Sequence, residues 1–159
     1  MANLATPNRF TDVEGYSPDA PASPSQSQEG AQSPAPAAAA YPYETRLNIL
    51  HGPLEVIDVN ALAADCRHRW FNQTLCKVND SVVRAGIIEG EYHWHKHDKD
   101  DEFFYVVDGR LLIDLESRTI ELSPGQGYVV PRATIHRTRA PQRTIILMVE
   151  NAGIIPTGN

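Results

Sequence analysis

The sequence predicts an all-β fold, a barrel or sandwich of short strands. Three observations lead there. Residues 44–159 carry a series of short runs rich in β-branched and aromatic side chains. Those runs are separated at close, regular spacing by Gly, Pro, Asp and Ser. Only one brief stretch, Asn60 to Asp65, has a helical pattern.

The expected elements follow in order. Leu54 to Val59 alternates partly between apolar and polar residues and reads as the first strand; the helical stretch comes next. Val82 to Glu89 and Phe103 to Val107 are the strongest strand signals, closed by Gly90 and by Asp108-Gly109. Leu111 to Leu115 and Arg118 to Leu122 flank a turn at Glu116-Ser117. Ser123-Pro124-Gly125 then leads into Tyr128 to Val130, which Pro131 ends. Ile135 to Arg139 and Thr144 to Glu150 complete the series, parted by Ala140-Pro141.

The chain changes character near Tyr43. Seven of its 12 prolines lie in residues 1–43, and Ser23 to Ala40 is almost entirely Ser, Gln, Pro, Ala and Gly. Such a composition cannot bury enough apolar surface to offset its ordering entropy, so residues 1–43 are expected to be a disordered tail and 44–159 one domain. The tail reads as neither a secretory signal nor a transit peptide, since Arg9 is its only basic residue and no apolar stretch is long enough.

Charge and composition exclude several classes. The chain of 159 residues has 14 basic and 20 acidic side chains, a net charge of −6. That is opposite to the basic stripe of a nucleic-acid binder and offers no polybasic handle for an anionic membrane. The longest wholly apolar run, Ile145 to Val149, is far short of a bilayer span. Two cysteines, Cys66 and Cys76, are too few for a disulfide framework. They read as reduced thiols, and the protein as cytoplasmic.

The chemistry concentrates in histidines. His93, His95 and His97 stand two residues apart, so in an extended chain they share one face, with Trp94 and Lys96 on the other. Glu102 follows across the acidic loop 98–101 and can return to that face, with Phe104 and Val106 as inward parity partners. Imidazoles converging on one ion suit Zn, Cu, Fe or Ni, and a carboxylate extends the range to Mn.

The segment His95-Lys96-His97, four residues, Glu102, six residues, Gly109 resembles the first motif of the cupin family, H-x-H-x(3,4)-E-x6-G. Gly125, Pro131 and His136 match the second motif, with Ala133 in place of its second glycine and Ala140 in place of its final asparagine. The similarity covers roughly Ala85 to Glu150 and points to small single-domain bacterial cupins of the mannose-6-phosphate isomerase-like kind. It implies a cupin-type double-stranded β-helix, a jelly-roll barrel. It further implies a metal held by His95, His97, Glu102 and His136, the ion being Fe, Mn, Zn or Ni. His93 is outside the motif but inward by parity, and is the candidate catalytic proton carrier or substrate contact.

Weaker candidates complete the reading. Trp94 and Tyr105 are expected outside, as possible subunit contacts, and Arg132 and Arg137 near the rim can receive a carboxylate or phosphate. His51 and His68 read as structural. The expected function is a metalloenzyme with isomerase, lyase or dioxygenase chemistry on a small polar metabolite. The alternatives are a sensor that binds a small ligand without turnover and an interaction protein with a structural metal. A homodimer is expected because a small sheet has exposed strand edges to cover.

Overall fold

The computed structural model describes residues 43–158. The expected tail lies outside them except for Tyr43. That residue packs against Trp70 and Tyr92, with ring centroids 5.3 and 4.4 Å away. The described elements are β1 (Glu44–Arg46), α1 (Val59–Asp65), β2 (Trp70–Val78), β3 (Ser81–Glu91), β4 (Glu102–Asp108), β5 (Leu111–Leu115), β6 (Thr119–Leu122), β7 (Gly127–Val130) and β8 (His136–Asn151).

The strands form one sheet in the order β1-β2-β3-β8-β4-β7, with β5 paired to β8 and β6 paired to β5. The all-β expectation holds, but the closed jelly-roll barrel does not. The hydrogen-bonded path has two free ends, β1 and β7, and β5–β6 is a branch from β8 that returns to neither of them. Closure needs a ladder between such ends, and the elements there are only three or four residues long. Among the described residues the strands therefore form an open, branched sheet.

β8 joins the parts. Its first residues pair with β5, Leu112 to Leu115 facing Arg139 to His136. Its later residues lie between β3 and β4. The two strands expected at 135–139 and 144–150 are thus one, because 141–143 leave the ladder as an exposed bulge that tolerates Pro141, and the strand resumes at Thr144. Thr144 also receives the Asp108-Gly109 turn. Gly109 has φ +88°, and a Cβ there would stand 2.5 Å from Thr144 Oγ1, so the turn requires glycine.

Two expectations differ from the structure at the start of the domain. Residues 54–58 form no strand. Instead Asp58 caps α1, its carboxylate accepting the Ala61 N–H at 2.9 Å, and Arg143 from the β8 bulge donates to the carbonyls of Ala63 and Cys66 at the other end. β2 shows no readable apolar alternation because Gln73 and Thr74 are buried in it and Asn72 is half-buried. The core on the inner face is built from Ile88, Phe104, Val106, Leu111, Ile113, Ile146 and Met148. Each fully buried Leu or Ile there contributes about 1.5–3 kcal/mol. Among the described residues no helix is long and apolar enough to cross a membrane.

Candidate metal centre

β3 ends at Glu91, after a register shift and a positive φ at Gly90, and the histidine-bearing segment then continues outside any ladder. One bridge fixes it. His95 and His136 exchange backbone hydrogen bonds, both 2.9 Å, so the segment is clamped to the first residue of β8. The carbonyl of His97 accepts the Ala133 N–H at 2.7 Å, and Asp101 accepts the Arg132 N–H at 2.9 Å. The second clamp leaves the loop just before Glu102, which opens β4 opposite Val130. Phe104 and Val106, its parity partners, are buried.

These clamps bring His95, His97, Glu102 and His136 together, with one donor atom from each lying within 4.8 Å of all the others. His95 Nδ1 donates to the His93 carbonyl at 3.1 Å and His136 Nδ1 to the Thr134 carbonyl at 3.0 Å. A carbonyl only accepts, so each Nδ1 carries the proton and each Nε2 of the neutral ring keeps a lone pair. His97 Nε2 and His136 Nε2 stand 3.4 and 3.3 Å from the same Glu102 oxygen, Oε2. All three atoms are sealed from water and make no aligned hydrogen bond among the described residues. Buried polar atoms left in this state are costly. Lone pairs aimed at one another fit a cation between them, and three imidazoles with one carboxylate are a donor set for a divalent transition metal.

The electrostatics agree with that fit. Burial, reinforced by the neighbouring His136, lowers His95 to about 4, so its ring is neutral and ready to ligate at neutral pH. Burial works against the charged form of His97, yet Glu102 beside it outweighs burial and the pKa is raised. For Glu102 burial favours the neutral acid, but His136 and His97 bring the carboxyl down to about 2. The carboxylate is therefore ionised, and its charge favours the protonated form of His97, with which a metal ion competes.

His93 stands beside this group and not within it. Its ring centroid is 5.2 Å from that of His95, and its Nε2–H donates to the Thr157 carbonyl at 2.9 Å. Thr157 belongs to a strap that returns over the site after β8. Ile154 anchors the strap at 5% exposure, and the Tyr92 hydroxyl donates to the Pro156 carbonyl at 3.3 Å. Gly158, at φ +82°, lies so close to His95 that a Cβ would stand 2.7 Å from the histidine's own Cβ. This strap is not legible in the sequence, because a short Gly- and Pro-containing segment after the last strand has no periodic signal.

Beneath the strap a cavity of about 30 Å³ is lined by His95 and Glu102, by apolar residues that include Trp70, Phe104 and Met148, and by polar residues not singled out from sequence, Asn72, Arg84 and Glu150 among them. The signal for them was a charged residue at an inward position of an apolar strand, legible only once parity is anchored. Arg84 Nε donates to Glu150 Oε1 and Arg84 Nη1 donates to Thr74 Oγ1. Burial and repulsion from Glu102 push Glu150 up, to about 7, while Arg84 pulls it down.

The remaining candidates lie elsewhere. Trp94 and Tyr105 are exposed. Arg137 stacks over Trp94 at 5.1 Å and pairs with Asp114 and Glu91, and Arg132 pairs with Asp101. His51 lies beside Glu55, His68 stacks on Phe71, and both cysteines are free.

Comparison with known proteins joins this geometry to a family. A family model described as "Cupin domain" matches residues 83–150. A cupin-2 domain containing protein from Shewanella frigidimarina, solved by crystallography, is 30% identical, with a TM-score of 0.58 over 60% of this chain and 94% of that one. The chain belongs to the cupin family. This cupin is also 39% identical over 92 residues to the uncharacterized protein YdbB of Bacillus subtilis, covering 57% of the chain and 81% of YdbB. It is 44% identical over 45 residues to polyketide synthase CurC of Streptomyces cyaneus, but that match spans 28% of this chain and 29% of CurC.

Proposed function

We propose that this cupin is a metal-dependent enzyme acting on a small polar metabolite, with one divalent ion held by His95, His97, Glu102 and His136. The observation that carries the reading is the convergence of His97 Nε2, His136 Nε2 and Glu102 Oε2, buried and without aligned partners among the described residues. A bound Fe, Mn, Zn or Ni ion supplies Lewis acidity toward a ligand oxygen, or with iron the means of using dioxygen. The chain supplies the rest. The His93 and Thr134 carbonyls hold the rings of His95 and His136 in the ligating tautomer. Trp70, Tyr92, Phe104 and Pro156 give the cavity an apolar wall. His93, adjacent to His95 and outside the ligand set, is assigned to moving a proton or to touching the substrate.

Isomerase or lyase chemistry on a hydroxy or keto acid and dioxygenation both belong to this reading. Metal analysis of protein purified without nickel, followed by oxygen-consumption and isomerisation assays over a metabolite panel, separates them. Iron with oxygen uptake selects dioxygenation, and zinc or manganese with turnover but no uptake selects isomerase or lyase chemistry. Metal binding without any turnover would make the protein a binding module, a reading that the narrow cavity also favours.

A homodimer is part of the proposal. β1 and β7 each have one neighbour, and Leu47, Ile49, Leu50, Leu54 and Val56 are exposed on the segment that follows β1. Light scattering at micromolar concentration is expected to give twice the chain mass; a monomer contradicts it.

A further inference from the structure

The cavity that holds His95 and Glu102 contains a second charged pair which metal binding does not use. Arg84 lies on β3 and Glu150 near the end of β8, and their side chains are 5% and 2% exposed. A buried ion pair adds little stability over well-packed apolar residues of the same volume, so packing alone gives no reason for one in a cavity wall. Its geometry does. Glu150 takes Arg84 Nε, and Thr74 takes Nη1 at 2.9 Å. Nη2 makes no hydrogen bond among the described residues. The guanidinium is planar and always charged, so fixing two of its nitrogens fixes the direction in which the third presents its donors.

Charge defines what those donors receive. A divalent ion among three neutral imidazoles and one carboxylate leaves a single net positive charge. The ion also offsets the repulsion from Glu102, and Arg84 with an ionised Glu150 adds no net charge. A monoanion neutralises such a cavity. Its volume of about 30 Å³, under the Pro156 strap, excludes a hexose phosphate and restricts the ligand to a small one.

We propose that Arg84 is a specificity-determining residue and that the ligand is a small carboxylic acid, its carboxylate received by Arg84 Nη2 and its hydroxyl or keto oxygen turned toward His95 and Glu102. Glu150 and Thr74 are positioning residues that hold the guanidinium. This assignment rests on the metal reading above.

The test uses the full chain loaded with zinc, with zinc content and ligand affinity measured separately. Pyruvate is the probe, and methyl pyruvate, which keeps the keto oxygen but lacks the charge, is its control. Pyruvate is expected to bind at least about tenfold more tightly than the ester, in keeping with a charge-assisted hydrogen bond. Arg84→Gln alone strands Glu150 and endangers folding, so the informative variant is Arg84→Met with Glu150→Leu, which removes both charges together. It is expected to keep one zinc per chain and a cooperative unfolding transition, and to lose the preference for pyruvate over the ester. Arg84→Lys, which keeps the charge without the fork, is expected to retain part of that preference. Wild-type protein that takes up no zinc counts against the metal reading. Zinc-loaded wild type that binds pyruvate no better than its ester, or a double variant that binds pyruvate as wild type does, overturns the role of Arg84.

Discussion

Two charged clusters grow from neighbouring residues of β8 and end in opposite states. On the outer face, Asp114 accepts hydrogen bonds from Arg139 Nε at 2.6 Å and Nη2 at 2.7 Å, from Arg137 Nε at 2.8 Å and from Thr119 Oγ1 at 2.7 Å. Its oxygens are saturated by protein. On the inner face, one residue before Arg137, His136 points a bare Nε2 at a bare Glu102 oxygen, with His97 on the other side. Both carboxyls are held below their ordinary values, Asp114 chiefly by Arg139 and Glu102 by His136 and His97 against burial. Charge and a depressed pKa are thus shared features. What separates a structural network from a site is whether the hydrogen-bonding capacity is used up.

The sharpest way to break this comparison is to remove one carboxylate from each cluster. Glu102→Gln is expected to lower divalent-metal affinity by more than about 100-fold, beyond the usual cost of losing a group that merely supports a ligand. Asp114→Asn should leave affinity within about twofold and cost about 1–3 kcal/mol of stability through weakened charged hydrogen bonds. Metal titration and urea unfolding of the two variants read these outcomes, and equal metal loss in both would erase the distinction.

Acid sharpens it further. Arg139, followed by Thr119 and Arg137, lowers the folded-state pKa of Asp114 below its ordinary value of 3.8. A carboxyl lowered on folding stabilises above its unfolded pKa, and that stability is lost as pH falls through the folded value. The advantage of wild type over Asp114→Asn is therefore expected to be full at pH 6 and to shrink below about pH 4. Unfolding at a series of pH values measures the difference, and an advantage that grows on acidification contradicts the assignment.

Smaller effects are expected at the edges of the inner cluster. Gly158→Val forces a side chain against His95 from a backbone with φ +82°, so metal affinity should fall about tenfold and amide exchange over 154–158 should quicken. Unchanged exchange would mean that the strap does not rest on His95. Ala133→Gly is the mildest change. Ala133 sits at φ +62°, where an L-residue is strained by roughly 1–2 kcal/mol, and glycine there is expected to stabilise by about 1 kcal/mol after its own entropy cost. A fall in melting temperature would contradict this.

The comparison also explains what the sequence made legible. The ligand candidates were readable because they are few, polar and spaced in a fixed pattern, and their spacing survives even though residues 92–101 lie in no ladder. The resemblance expects glycine where Ala133 stands, and the φ of +62° found there is the conformation that favours glycine. β5 was readable to the residue, Leu111 to Leu115, because apolar residues and turns bound it on both sides. Three things were hidden. Closure into a barrel depends on ladders between distant strands, which no local pattern encodes. β2 was obscured by its polar inward residues, and the Arg84–Glu150 pair by a sequence separation of 66 residues. Asp114 was passed over because its saturation depends on Arg137 and Arg139 arriving from β8.

The central claim is that His95, His97, Glu102 and His136 hold one divalent ion. Isothermal titration of metal-free protein with zinc, in wild type and in His136→Ala, tests it most directly. One ion per chain is predicted for wild type, with protons released as His97, whose pKa is raised, gives up its charge. No comparable tight site is predicted for His136→Ala. Wild-type protein that binds no zinc, or a variant that binds it with unchanged stoichiometry and affinity, contradicts the account.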